Sequence, residues 1–206
     1  MFGYWLAVLR WLALPALAVG VLCGGAMAAV MLVGDGAPWG EALGSAAGAG
    51  AAAALALALV LSTVDTAGAA RTARRYGLVL GPEAVGLPYV REVRVPGVGK
   101  RTAYQLTDSV RHAVERTPAL RLDEVTAFGH GKLDLALRGP SGTGITARVR
   151  VDVGPEGAVA VVETSPAASY KRLDGAGCWA VGQVLARRVE DALRAEVEQP
   201  DAVGGQ

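Results

Sequence analysis

Aromatic residues make up only 5% of this 206-residue chain, although 52% of it is hydrophobic. That balance excludes a large aromatic core and points to helix rich in Ala, Leu and Val. Charge is missing from two long stretches. No charged residue occurs from Trp11 to Val33, and none from Ala42 to Val64. About 20 apolar residues suffice to cross the ~30 Å hydrocarbon layer of a bilayer. A backbone in lipid must satisfy its own hydrogen bonds, so both runs are expected to be helical.

Positive charge is absent from the segment between the runs, "GDGAPWGE" at Gly34–Glu41. Its Gly, Pro and acids read as a short polar turn, which makes the pair a hairpin. Lys and Arg concentrate on the cytoplasmic side of membrane spans. Arg10 precedes the first run, and Arg71, Arg74 and Arg75 follow the second. Both ends of the hairpin are therefore expected in the cytoplasm, with the turn outside. This places the chain in the cell (inner) membrane, with the bilayer as its first partner. Trp5 and Trp11, near Phe2, Tyr4 and Arg10, suit the headgroup zone. The expected interface anchors are Trp5, Arg10, Trp11, Arg71, Arg74 and Arg75. A competing reading takes the first run as a cleaved signal peptide ending near "AMA" at Ala26–Ala28. The apolar run continues past that point to Val33, which argues against it.

Small residues recur at helical intervals: Gly20, Gly24 and Ala28 on the first run, and Gly44, Gly48 and Ala52 on the second. Small faces let helix backbones approach closely in lipid. Gly20, Gly24, Gly44 and Gly48 are accordingly expected to join the two spans, or alternatively two copies of the chain.

Cysteine is nearly absent. Cys23 lies within a span and Cys178 on an expected soluble helix. A disulfide between them is not expected, and no zinc-ligand spacing exists. Catalytic motifs are missing as well: there is no G-x-S-x-G and no HExxH. His112 and His130 have no nucleophile at a telling spacing, so neither is assigned as a general base. "VPGVGKRT" at Val95–Thr102 resembles a phosphate loop only loosely. Arg94 stands where the first glycine belongs and Arg101 follows Lys100, so the pattern fails twice. Lys100 and Arg101 remain candidates for contact with an anion or lipid headgroup. From Arg71 onward 19 Lys and Arg face 16 Asp and Glu, an excess too small to indicate nucleic acid.

After a basic connector broken by Gly77, Gly81, Pro82, Gly86 and Pro88, the pattern becomes that of a soluble domain. "REVRV" (Arg91–Val95) alternates as a strand. Thr102 and Gln105 fit a capping box, and Ala103, Leu106, Val110 and Val114 form one helical stripe. Four strands separated by short turns are expected at Leu122–Phe128, Lys132–Arg138, Ile145–Val153 and Ala158–Thr164. In the third, Ile145, Ala147, Val149, Val151 and Val153 alternate with Thr146, Arg148, Arg150 and Asp152, one apolar side and one solvated. A last helix is expected from about Asp174 to Glu196.

The expected fold is therefore an α-helical transmembrane hairpin plus a small α+β domain. An antiparallel sheet of about five strands is covered by two helices, in the order β-α-β-β-β-β-α. The divisions are a membrane anchor at 1–70, a basic connector at 71–90, a cytoplasmic domain at 91–196 and a tail at 197–206. The functional expectation is a membrane-anchored, non-enzymatic interaction or scaffold protein, binding a protein partner or itself. The alternatives are a tethered domain for lipid or another apolar ligand, and a subunit of an oligomeric pore or transporter. No catalytic residue, metal site or cofactor is expected.

Overall fold

The structure is a computed structural model that describes residues 1–34, 36–98, 101–168 and 174–198. The chain divides into two compact units. One comprises 1–70 with 80–83, and the other 71–79 with 84–206.

The first unit is a pair of long apolar helices, α1 (Phe2–Val33) and α2 (Trp39–Arg75). Both are long and apolar enough to cross a membrane. At 1.5 Å per residue they measure about 48 and 55 Å, more than the ~30 Å hydrocarbon layer. They outrun the charge-free stretches because a charge near the end of an apolar run does not stop a helix. Pro15 lies inside α1, where its missing N–H frees the Trp11 carbonyl.

Every fourth residue of α1 is buried: Tyr4, Val8, Leu12, Ala16, Gly20 and Gly24. On α2 the matching row is Ala42, Ala46, Gly50, Ala58 and Ser62. Rows four apart are the ridges that interdigitate when helices cross closely. A Cβ built on Gly20 would fall 2.6 Å from the Gly50 carbonyl oxygen, and one on Gly24 2.7 Å from that of Ala46. The two backbones therefore touch with no side chain between them. At the other end, the Tyr4 hydroxyl donates to Asp65 Oδ2 at 2.6 Å. The side chains grade from large to small toward the turn, which sets the antiparallel register.

Two of the four glycines expected in this contact are not in it. A Cβ on Gly44 or Gly48 would meet nothing within 4 Å. The residues of α2 that meet Gly20 and Gly24 are Ala46, Gly50 and Ala54. In a helix this rich in Ala and Gly, several faces offer small residues every fourth position. Only the partner helix selects among them.

The second unit holds the five-stranded sheet, with two helices in the order expected. After a short 3-10 turn at Pro82–Val85 come β1 (Tyr89–Pro96), α3 (Ala103–Glu115), β2 (Arg121–Gly129), β3 (Lys132–Arg138), β4 (Gly144–Gly154), β5 (Gly157–Pro166) and α4 (Gly177–Glu198). The strand order is β1-β5-β4-β3-β2, antiparallel throughout. The tight turns make β2 to β5 a meander. β1 closes the other edge against β5, with Val93 opposite Ala160.

The capping box forms as read: Gln105 N–H donates to Thr102 Oγ1 at 3.3 Å, and Thr102 N–H to Gln105 Oε1 at 3.0 Å. At α4, Asp174 stands just ahead of the helix. Its carboxylate accepts from the N–H groups of Gly177 and Cys178, at 3.1 and 2.6 Å.

One side of the sheet meets both helices. Leu133, Leu135, Leu137, Ile145, Ala147, Val149, Val151, Ala160 and Val162 bury against Leu106, Val110, Val181, Leu185 and Val189. Gly182 lets α4 lie against the Tyr89 ring, since a Cβ there would strike that ring and Thr164 Oγ1. Glu196 ties the helices together, accepting from Ser109 Oγ at 2.6 Å and pairing with Arg101 at 3.4 Å.

Candidate functional site

Of the two residues expected to contact an anion, Lys100 lies outside the described residues. Arg101 is half-buried and paired with Glu196. Its charge is met within the fold by Glu196. The capping box also satisfies N–H groups that an anion would need.

The expected interface anchors lie in the first ten residues of α1 and on the last turns of α2. Phe2 and Trp5 stack with ring centroids 6.2 Å apart. Arg10 is exposed, and Trp11 is 39% exposed. Arg71, Arg74 and Arg75 are exposed on the final turns of α2. Between the ends, the outward surface is apolar: Leu14, Leu17, Val21, Leu22, Leu43, Leu55, Val60 and Val64 are all exposed.

Cys178 is buried, and burial pushes its thiol far above the ordinary range; the Asp174 carboxylate adds to this by its charge and by a hydrogen bond. A reactive thiol needs the opposite shift. Thr164 Oγ1, fully buried, donates to the Cys178 carbonyl at 2.8 Å. This corner of α4 is therefore core. Among the described residues, no group of three His, Cys, Asp or Glu is placed to hold a metal.

The structure brings together a surface cluster that the sequence did not reveal. Tyr104, 42% exposed on α3, meets the Phe128 ring edge-on at 5.2 Å and the His130 ring at 5.3 Å. The Arg111 guanidinium lies over Phe128, 4.9 Å from the ring centroid. Asp108 and Glu115 steady it from the same helix face, at 2.8 and 4.0 Å. His112 turns away to the Asp108 carbonyl, with Nδ1 at 2.9 Å. Gly131, at φ +70°, fixes the β2–β3 turn that carries His130. A side chain there would strain the backbone and collide with the Val151 carbonyl. Rings locked by one another and a cation across an aromatic face are the chemistry enriched at protein interfaces. The available signal was the seven-residue spacing of Tyr104 and Arg111, two turns along one helix face. Their meeting with Phe128 is tertiary.

The face of the sheet turned away from α3 and α4 carries alternating charges. Arg148 bridges neighbouring strands, to Asp134 at 3.2 Å and Glu163 at 3.7 Å. Arg138 reaches Asp123 at 3.2 Å, and Arg94 pairs with Glu92. The Arg148 and Arg138 pairs cross strands, the Arg94–Glu92 pair lies along β1, and together they offset charge on a solvated face.

Comparison of the chain with models of protein families, with curated proteins and with solved structures finds no match.

Proposed function

We infer that this protein is a membrane-anchored interaction module: the hairpin holds it in a lipid bilayer, and the α+β unit binds a protein partner. The observation carrying this reading is the outward surface of α1 and α2. Large apolar side chains cover it from Leu14 to Val64, and the polar contact of Tyr4 with Asp65 sits at the arginine-bearing end. In water such a surface would aggregate; in lipid it is matched to its solvent. The positive-inside bias then favours Arg10, Arg71, Arg74 and Arg75 in the cytoplasm, with the α+β unit on the same side of the bilayer. The locked cluster of Tyr104, Phe128, His130 and Arg111 is the surface we assign to the partner.

The reading as an apolar-ligand domain has less support. The small side chains Ala147, Ala158 and Ala160 are each at most 1% exposed within the packed cluster under α4. The pore reading has less support too, since Gly20 and Gly50 bring the helices into backbone contact.

The test is photo-crosslinking in intact cells, from a photoreactive residue at Tyr104, followed by alkaline washing of the membranes. The reading expects the chain to stay with the membrane and the Tyr104 probe to capture a defined protein. Release by alkali contradicts the anchor. A silent probe at every exposed position of the α+β unit contradicts the interaction module.

A further inference from the structure

Arg10 and Arg71 lie at different levels of the hairpin. Gly20 of α1 meets Gly50 of α2, Gly24 meets Ala46, and Tyr4 bonds to Asp65. Each step from Gly24 toward Tyr4 is matched by a step from Ala46 toward Asp65, so Arg10 falls level with Val60. From Val60 to Ala70, the residue before Arg71, α2 runs on for about 15 Å. The headgroup layer on each side of the ~30 Å hydrocarbon is only about 5–8 Å deep. A single headgroup layer does not span both arginines.

The cost of burying charge decides which arginine marks the boundary. With Arg71 there, Arg10 would lie about 16 Å deep, near the bilayer centre. Arg10 is exposed on the outer side of α1, and a charge facing lipid at that depth is costly. With Arg10 at the boundary, Arg71, Arg74 and Arg75 stand in water. The apolar lengths agree with the second placement. From Trp11 to Val33 α1 is uncharged for about 34 Å, which fits the hydrocarbon at an ordinary tilt. Beyond Val64, α2 reads DTAGAARTARR, with no apolar side chain larger than alanine. Its polar groups begin just past Val60. Ser62 is buried and turns its hydroxyl back to the Ala58 carbonyl at 2.7 Å, and Asp65 accepts the Tyr4 hydrogen bond.

We propose that the hairpin meets the inner-leaflet phosphates at Arg10, and that α2 leaves the hydrocarbon near Val60 and continues through the headgroups into water. The Tyr4–Asp65 contact then lies in the headgroup layer. The proposal rests on the membrane-anchor reading and fixes how deep the anchor sits. Of the arginines expected as interface anchors, it keeps Arg10 alone. The ligand at that position is a phospholipid phosphate, which a guanidinium binds through paired hydrogen bonds.

The experiment uses the full chain in nanodiscs of phosphatidylcholine and phosphatidylglycerol. Spin labels are placed singly by Leu55→Cys, Val60→Cys and Ala67→Cys in a Cys23→Ala background; all three positions are exposed. Collision with oxygen marks lipid, and collision with a water-soluble nickel chelate marks water. The Leu55 label is expected about 8 Å deeper than the Val60 label, and the Ala67 label about 10 Å shallower, in water. Arg10→Leu should draw the hairpin in until Val64 reaches the boundary, a shift of about 6 Å. Arg10→Lys should leave the depth unchanged, and so should Gln at Arg71, Arg74 and Arg75 together.

Oxygen contact at Ala67 equal to that at Leu55 overturns the proposal, since lipid then reaches Arg71. So does an Arg10→Leu variant that does not shift, or a triple Gln variant that shifts as far. Nickel contact at Leu55 with Arg10 in place is a different failure, because it removes the membrane anchor itself.

Discussion

Gly20 and Gly50 are reciprocal: a Cβ built on Gly20 would fall 2.6 Å from the Gly50 carbonyl oxygen, and one on Gly50 would fall 2.5 Å from that of Gly20. The obstacle on each side is backbone, which cannot rotate away. Gly20→Leu and Gly50→Leu should therefore push the helices apart, at a cost of about 1–3 kcal/mol by analogy with overpacked cores. Gly44→Leu and Gly48→Leu meet open space and should leave the hairpin intact. Distances between spin labels on the two helices, measured in nanodiscs, separate the cases. Equal separation in all four variants would contradict the assigned contact.

Tyr4 and Asp65 close the other end of the hairpin through their 2.6 Å hydrogen bond. Tyr4→Phe and Asp65→Ala should each lower resistance to unfolding in mild detergent, by about 0.5–1.5 kcal/mol for one hydrogen bond. The double variant should cost less than the sum of the singles, because both remove one interaction. Strict additivity would place the two side chains in separate roles.

Cys178 should resist alkylation in the folded chain, since burial and Asp174 hold its thiol protonated. Mass spectrometry after iodoacetamide treatment should find it unmodified until denaturant is added. The sign of the pH effect follows from linkage. An unfolded thiol ionises above about pH 8.5, while the folded one stays protonated, so the folded chain binds more protons and stability falls as pH rises past that value. Cys178→Ala should flatten this alkaline decline. An unchanged slope would show that other groups cause it.

Gly182 is the point where α4 lies on Tyr89. Gly182→Ala should destabilise the α+β unit despite the better helix propensity of alanine. The expected loss is about 1–3 kcal/mol for a core forced to shift, read as a lower melting temperature. A neutral or stabilising result would mean that the Tyr89 ring moves aside freely.

Much of this architecture was legible in the residues. The alternation of Ile145, Ala147, Val149 and Val151 marked β4, and Thr102 with Gln105 marked the start of α3, because both signals are local. The helix ends were harder. α1 begins at Phe2 and α2 continues to Arg75, since charge marks where lipid is left and not where hydrogen bonding stops. Partner choice was the least legible. Asp191 pairs with Arg188, three residues before it, at 3.4 Å, because side-chain reach decides between neighbours on a helix surface. Gly44 and Gly48 carry the same spacing as Gly20 and Gly24, and only the second helix shows which face is used. The cluster of Tyr104, Phe128, His130 and Arg111 depends on α3 meeting the β2–β3 turn. No sequence period encodes that meeting.

The central claim is that the hairpin crosses the membrane twice and leaves the α+β unit inside the cell. Single cysteines at Pro38, in the turn, and at Ser141, between β3 and β4, test it in a Cys23→Ala background, where Cys178 is shielded by burial. Intact cells are treated with a membrane-impermeant maleimide. The account predicts labelling of Pro38→Cys in whole cells and of Ser141→Cys only after the cells are broken. Labelling of Ser141→Cys in whole cells, or of neither position until lysis, would contradict it.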